Sequence, residues 1–141
     1  MVVNPADRTA VRLTAALGAW TVFEWATRIR NAAAEADVDT LVKAANVGVA
    51  AGFTVMGAGL LVYAWRNRAT GLPMGASRVL TSLAFLITAW WSVRTLLVWL
   101  HSHDTPFKIV HTVLAVISIT LALVARRAAV RAEAERAAVH V

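Results

Sequence analysis

The chain has 141 residues, 59% of them hydrophobic, and a mean hydropathy of +0.63. A soluble domain has about 45–50% apolar residues, and here they collect into long blocks, which is typical of membrane-spanning helices. The absence of cysteine excludes disulfides, thiol catalysis and covalent haem attachment. The net charge of +6 lies mostly beside the apolar blocks, so we expect contact with the lipid bilayer surface and no nucleic-acid binding.

Four apolar blocks predict an all-α membrane protein, a four-transmembrane-helix bundle. The predicted spans cover residues of about 12–30, 44–65, 78–100 and 106–126. A helix needs about 20 residues to cross roughly 30 Å of hydrocarbon. The later three spans meet this requirement by hydrophobicity alone, whereas Glu24 and Arg28 interrupt the first. We expect the first helix to cross only if polar groups of other helices meet these charges.

A secretory signal peptide is the alternative interpretation of the first block. Arg8 and Arg12 would form its basic end, and small residues near Ala32 its cleavage site. Signal peptides have an uncharged core, so the two charges inside this block favour a membrane span.

The boundaries of the later helices carry capping residues. Asp39 is a candidate N-cap for the second helix, or for a short interfacial helix before it, and Ser77 is one for the third. Thr105 and Pro106 are typical of an N-cap followed by proline at the first helical position. The glycines and proline of residues 67–76 predict a loop.

Basic residues set the expected orientation. Nine Lys and Arg residues flank one side of the predicted spans and four flank the other. Because basic residues favour the cytoplasmic side, we expect cytoplasmic N- and C-termini. Residues 1–141 then form one membrane domain, in which 127–141 continue the fourth helix as a cytoplasmic tail. The abundance of Ala, Val and Arg favours a bacterial inner (plasma) membrane as the location.

The two halves have the pattern of tandem helical hairpins. Each half has two arginines sixteen residues apart and a Trp-x-x-Arg motif near the outer end of its first helix. The aligned pairs are Arg12 with Arg78, Trp25 with Trp91, Arg28 with Arg94, Lys43 with Lys108 and Asn46 with His111. The pattern favours an internal repeat, with chance matches in an Ala- and Leu-rich sequence as the alternative.

The second half also carries a family resemblance. Trp91 and the run FKIVHTVLAVIS at 107–118 resemble small two-span actinobacterial membrane proteins of uncharacterised function. These proteins have a Trp-rich first span and a Phe-x-x-His or Phe-x-x-Val-His start to the second. The resemblance covers about a third of the chain, the first half lacks the histidine, and no activity is implied.

Four polar residues inside the predicted spans form the main candidate site: Glu24, Arg28, Arg94 and His111. A rise of about 1.5 Å per residue from the basic helix ends puts all four at a similar level in the outer half of the membrane. The structural interpretation is an ion pair between Glu24 and Arg94, with Arg28 reaching the outer headgroups. Glu24 and Arg28 are also spaced i, i+4 and can pair along their own helix. The functional alternatives are an anion pocket, for example for a lipid phosphate, and a proton path through Glu24 and His111.

The outer loop offers only weak metal candidates, His101, His103 and Asp104, because tight sites need three or four ligands in defined geometry. A solvated loop is the preferred interpretation. Haem b would need two facing histidines within the bilayer, and only His111 is intramembrane, with His101 as its nearest candidate partner. We expect neither a metal nor another cofactor.

Small residues form a row on the second helix: Ala44, Gly48, Gly52 and Gly59. Such a row lets helices approach closely. It indicates a helix-packing face, either within one chain or against another subunit.

The tryptophans divide by depth. Trp25, Trp65 and Trp99 lie near predicted interfaces, as in an aromatic belt. Trp20, Trp90 and Trp91 lie deeper and are expected in the core.

No arrangement of catalytic residues is visible, so we expect a non-enzymatic protein. Its small size and packing face favour an accessory or structural subunit of a larger inner-membrane complex, bound to a larger membrane protein or to itself. The alternative is a homo-oligomeric small transporter, channel or lipid-phosphate-binding protein with a polar site in the outer leaflet. A haem-binding anchor is a third hypothesis.

Overall fold

The computed structural model describes residues 4–34 and 39–139, and this part of the chain confirms the predicted all-α bundle. The helices are α1 (Pro5–Ala34), α2 (Thr40–Arg66), α3 (Ala76–Leu100) and α4 (Thr105–Val139). Helices α2, α3 and α4 are long and apolar enough to cross a membrane. Helix α1 is long enough to cross a membrane, but its charged side chains make it less apolar than these three helices.

Helix α1 occupies the middle of the bundle, where it packs against both α2 and α4. Helix α3 packs against α4. Within the described residues, the backbones of α2 and α3 do not come into contact. These two helices meet through long side chains instead, with the rings of Phe53 and Trp90 5.5 Å apart. The wider gap between α2 and α3 leaves room for a cavity.

Two glycines bring α1 and α2 together. A Cβ atom on Gly18 would lie 2.8 Å from the carbonyl oxygen of Gly57, and one on Gly57 would lie 2.9 Å from the carbonyl oxygen of Gly18. Any larger residue at either position would collide with backbone of the facing helix. The close contact therefore depends on both residues being glycine.

The predicted small-residue row of α2 faces away from the bundle. Ala44, Gly48, Gly52 and Gly59 are exposed, and a Cβ atom on any of the three glycines would meet nothing within 4 Å. Gly57 is two residues from Gly59 and so lies on the opposite side of the helix. Gly57 makes the contact with α1, and the exposed row of small residues is available to lipid or to another subunit.

The end of the bundle that carries both termini is tied together by polar contacts; we call it the terminal end. Asp7 is 5% exposed, and its Oδ1 lies 3.5 Å from Nε of Arg136. Nη1 of Arg136 donates to the carbonyl oxygen of Leu72 at 2.7 Å. Gly71, at φ +81°, packs directly on Asp7, where a Cβ atom would lie 2.8 Å from its Cγ. These contacts join α1, the α2–α3 loop and the tail of α4.

The helix caps predicted from the sequence are confirmed only in part. Asp39 is confirmed as the N-cap of α2, because its side chain accepts a hydrogen bond from the Leu41 N–H at 2.8 Å. Ser77 is wrong as the N-cap of α3. Gly75 holds that position in a left-handed conformation, and Ser77 donates to Glu133 of α4 instead. Helix α4 begins at Thr105, one residue earlier than expected.

The buried positions of the two hairpins coincide in the register of the predicted repeat. Five of the six buried residues of α3, all except Val98, align with buried residues of α1 at a spacing of 66. All four buried residues of α2 align with buried residues of α4 at a spacing of 65. The repeat stays a prediction, and the symmetry is incomplete because α1 contacts α4 whereas α3 does not contact α2.

Candidate ligand cavity between the helices

A cavity of about 420 Å³ lies between the four helices, at the end of the bundle opposite the termini. Its volume is within the usual range for small-ligand sites. The polar residues singled out in the sequence, Glu24, Arg28, Arg94 and His111, all line it. Further polar lining comes from Thr27, Asn31 and Asn46, and apolar lining from Phe23, Trp25, Val49, Trp90, Phe107, Val110 and Leu114.

Glu24 is buried, at 4% exposed, and is held by a relay from two helices. Its Oε2 accepts a hydrogen bond from the Ser118 hydroxyl at 3.1 Å. The Ser118 oxygen in turn accepts from the Trp20 indole N–H at 2.9 Å. The other carboxylate oxygen, Oε1, is buried without a hydrogen-bond partner in the described part of the chain. One oxygen is therefore fixed to the protein, and the second lacks a hydrogen-bond donor in the described part of the chain.

Glu24 forms the ion pair that its i, i+4 spacing from Arg28 allows, and not the interhelical one. Its partner is Arg28, one turn later on the same helix, at 3.9 Å between Oε1 and Nη2. The interhelical pair with Arg94 is not formed between these described residues. The carboxylate meets α4 through Ser118 instead, so a neutral hydroxyl takes the role that the sequence suggested for a charge.

Arg28 is held inside the bundle by aromatic rings and does not reach outward as expected. Its guanidinium carbon lies 5.1 Å from the ring centre of Trp25 and 5.2 Å from that of Trp91. Its side chain is 22% exposed. Cation–π contacts of this kind stabilise a partly desolvated arginine and fix the plane of its donors.

Arg94 is the free cation of the cavity. It is exposed, and within the described residues it makes no hydrogen bond or ion pair. It lies near enough to Arg28 for the two guanidinium charges to repel each other. The cavity therefore contains two arginines and only one carboxylate.

Aromatic side chains form a layer across the bundle beside these charges. Trp25 stacks on Phe53 with ring centres 4.3 Å apart, and it meets Trp90 at 5.9 Å and Trp91 at 6.4 Å. Trp25 is 4% exposed, so its expected place in an interfacial belt is wrong. Trp65 and Trp99 are exposed, as a belt position requires. The indole nitrogen of Trp90 is buried and has no acceptor among the described residues.

His111 lies on the α4 wall of the cavity. Its Nδ1 is 3.0 Å from the carbonyl oxygen of Phe107, and because a carbonyl only accepts, Nδ1 carries a hydrogen. The ring packs on Phe107 at 4.1 Å between centres, and Phe107 packs on His103 at 4.6 Å. The second ring nitrogen of His111 is left for the cavity or for water.

The weak metal candidates do not line this cavity. His101, His103 and Asp104 are exposed in the loop between α3 and α4, and His101 bonds the carbonyl oxygen of Leu97 at 2.7 Å. No three acidic or histidine side chains in residues 4–34 and 39–139 are grouped to hold a metal ion. These residues lie at the end of the bundle opposite the termini.

Sequence reasoning missed Ser118 and Trp20, which position Glu24. A signal for Ser118 exists, because it follows His111 by seven residues and so lies on the same face of α4 two turns on. The signal for Trp20 is its position four residues before Glu24, one turn earlier on the same face of α1.

Comparison with protein-family models, with curated proteins and with solved structures found no match. The class of protein is therefore defined by the fold and the site alone. It is a helical bundle with three helices able to cross a membrane, and an open cavity lined by charged and apolar side chains lies between its helices.

Proposed function

We propose that this chain is a four-span, non-enzymatic membrane protein whose cavity binds the anionic group of a phosphate-bearing lipid or solute. The observation that carries the proposal is the unpaired Arg94 beside Arg28, in a cavity with a single carboxylate. Charges at membrane depth cost roughly 2–3 kcal/mol each on insertion scales. A bound phosphate offsets that cost, because guanidinium groups donate two parallel hydrogen bonds to its oxygens.

The contacts of α1 support its crossing as the first of the four spans. At about 1.5 Å per residue, its 30 residues are about 45 Å long, enough to cross a bilayer. It runs beside the apolar helix α2, in backbone contact at Gly18 and Gly57. Its buried charge, Glu24, faces Ser118 of α4 and not lipid. The contact with Ser118 therefore supports the proposal that α1 is a membrane span.

The proposed orientation follows from the basic residues of the terminal end. The nine arginines there favour a cytoplasmic location for that end, in a bacterial cell. Glu24 lies about 18 Å along α1 from Arg12, so the cavity is in the outer half of the inner membrane. A ligand would enter from the outer leaflet or from the outer aqueous side.

A titration tests this function. The protein is kept in a maltoside detergent, which carries no phosphate, and titrated with short-chain phosphatidylglycerol, with binding followed by tryptophan fluorescence, since Trp25 and Trp90 line the cavity. We expect Arg94→Gln to weaken binding at least about tenfold, from the loss of a charge-assisted hydrogen bond. Arg78→Gln is the matched control, because Arg78 is an exposed arginine of the same helix outside the cavity. Equal affinities for the wild type and both variants would refute the proposal.

A second candidate function is an accessory subunit of a larger membrane complex, and the outward row of small residues on α2 favours it. Gly48 and Gly52 leave open space where another helix fits. Purification in mild detergent, followed by mass spectrometry, should show a partner protein or a second copy of the chain. Gly52→Leu should remove that partner without lowering thermal stability, since the added side chain meets nothing in its own chain. A chain that purifies alone as a monomer would exclude this candidate.

A further inference from the structure

We propose that the ligand of the cavity is zwitterionic and carries a primary ammonium group close to its phosphate. In this assignment the ammonium binds Oε1 of Glu24 and the phosphate binds Arg28 and Arg94. The inference rests on the proposed function, because it specifies the chemical class of the ligand that the same cavity takes.

The unpartnered oxygen of Glu24 points to the ammonium. Glu24 is 4% exposed, and its Oε2 is fixed by Ser118, so the carboxylate cannot rotate toward water without breaking that hydrogen bond. Oε1 has no hydrogen-bond partner, and Arg28 at 3.9 Å is beyond hydrogen-bond distance. A buried carboxylate oxygen without a donor is costly. A primary ammonium supplies three donors and a compensating charge.

The same oxygen argues against a simple anion. A phosphate without a cationic group would approach Arg28 and meet the negative charge of Glu24 one turn away. Its binding would also leave Oε1 without a donor. A ligand with both charges satisfies the carboxylate and the arginines together.

The donors of the cavity point to the phosphate. Arg28 is oriented by the faces of Trp25 and Trp91, and Arg94 has no acidic partner in the described residues. The indole nitrogen of Trp90 is a further buried donor without an acceptor. Phosphate and ester oxygens are acceptors for all three groups.

The spacing of the charged residues sets the length of the ligand. Glu24 and Arg28 are i, i+4 on one helix, so their Cβ atoms are about 5–6 Å apart. A two-carbon linker between ammonium and phosphate, as in a phosphoethanolamine group, spans a similar distance. Apolar lining from Val49, Val110 and Leu114 is suited to an acyl chain, but the same group also exists as a free solute.

The test compares headgroups on the wild-type protein in a maltoside detergent, which carries no phosphate. The probes are short-chain phosphatidylethanolamine, its N-acetyl derivative without the ammonium charge, short-chain phosphatidylglycerol, and free phosphoethanolamine. We expect phosphatidylethanolamine to bind at least about tenfold tighter than the N-acetyl derivative or phosphatidylglycerol. Free phosphoethanolamine binding as tightly as the lipid would identify a solute as the source of the group, and weaker binding would identify the lipid.

Variants distinguish the proposed preference for a zwitterion from the proposed binding of a phosphate group. Glu24→Gln should abolish the preference for phosphatidylethanolamine and keep phosphatidylglycerol binding, whereas Asp104→Asn, an exposed acidic residue of the outer loop, should change neither. Phosphatidylglycerol binding as tight as phosphatidylethanolamine binding, with both weakened by Arg94→Gln, would overturn the zwitterion and leave anion binding intact. No binding of any probe would overturn both. The wild-type comparison with the N-acetyl lipid decides the matter even if Glu24→Gln fails to fold.

Discussion

Ser118 of α4 donates a hydrogen bond to Oε2 of Glu24 on α1, at 3.1 Å across the interface between the two hairpins. This bond joins the most polar point of α1 to an otherwise apolar stretch of α4. It explains how a helix with a buried carboxylate packs in the middle of the bundle. The second oxygen of Glu24, a residue that lines the cavity, is buried without a hydrogen-bond donor among the described residues.

Ser118→Ala should therefore destabilise the bundle. The substitution leaves Oε2 of Glu24 buried without a donor and also removes the acceptor of the Trp20 indole. We expect a loss of about 1–3 kcal/mol, measured as a lower unfolding midpoint in detergent. Ser82→Ala is the control, because Ser82 is exposed on α3, and it should change stability by no more than about 0.5 kcal/mol. Equal midpoints for the two variants would contradict the role of Ser118.

Two glycines of α2, Gly57 and Gly59, form a matched pair for which we expect opposite effects on stability. Gly57→Ala puts a Cβ atom 2.9 Å from backbone atoms of Gly18 and Val22, so α1 and α2 must separate. We expect it to cost about 1–3 kcal/mol in the free energy of unfolding. Gly59→Ala meets nothing within 4 Å and should be neutral, or stabilising by up to about 1 kcal/mol through helix propensity. The free energy of unfolding, measured in detergent, should be lower than that of the wild type for Gly57→Ala and equal or higher for Gly59→Ala. Equal losses in the two variants would contradict the close contact at Gly57.

The contacts of Arg136 predict a coupling between the α4 tail and the α2–α3 loop. Arg136→Ala removes the ion pair with Asp7 and the hydrogen bond to the Leu72 carbonyl. We expect faster proteolysis of the α2–α3 loop and a loss of about 1.5–3 kcal/mol, the range for hydrogen bonds to charged groups. Arg127→Ala, at an exposed position of the same tail, should leave proteolysis unchanged. Identical cleavage rates for both variants would show that the tail does not hold the loop.

Glu133 predicts a loss of stability in acid. Burial alone would raise the pKa of Glu133, but hydrogen bonds from Ser77 and Gly75 and the charge of Arg136 outweigh it, so the pKa lies below its ordinary value of 4.5. The unfolded chain therefore binds this proton more readily than the folded one. The stabilisation is complete above the ordinary pKa and is lost as the pH falls through the lowered folded value. Unfolding midpoints measured from pH 7 to pH 3 should fall less in Glu133→Gln than in the wild type; parallel curves would contradict this.

Hydrophobicity and charge predict the helices well. The distance of each polar residue from the basic end of its helix predicts which of these residues lie at the same height in the bundle. Glu24, Arg28, Arg94 and His111 line one cavity because all four sit at similar distances from the basic helix ends. These properties depend only on position along a helix, and they are readable from the sequence.

The rotation of each helix about its own axis is not determined by its sequence alone. It decides that Gly57 and not Gly59 faces α1, and that Ser118 reaches Glu24 in place of Arg94. It also turns Trp25 into the aromatic layer and not toward an interface. Each of these facts depends on how neighbouring helices are turned, and that is set by packing between residues distant in the chain.

The central claim is that the cavity holds a phosphate group through Arg94, and native mass spectrometry of the protein released from its membrane tests it most directly. We expect the wild type and Arg78→Gln to retain one phospholipid for each chain, and Arg94→Gln to be released without it. The same amount of bound lipid in all three proteins, or none in the wild type, would contradict the claim.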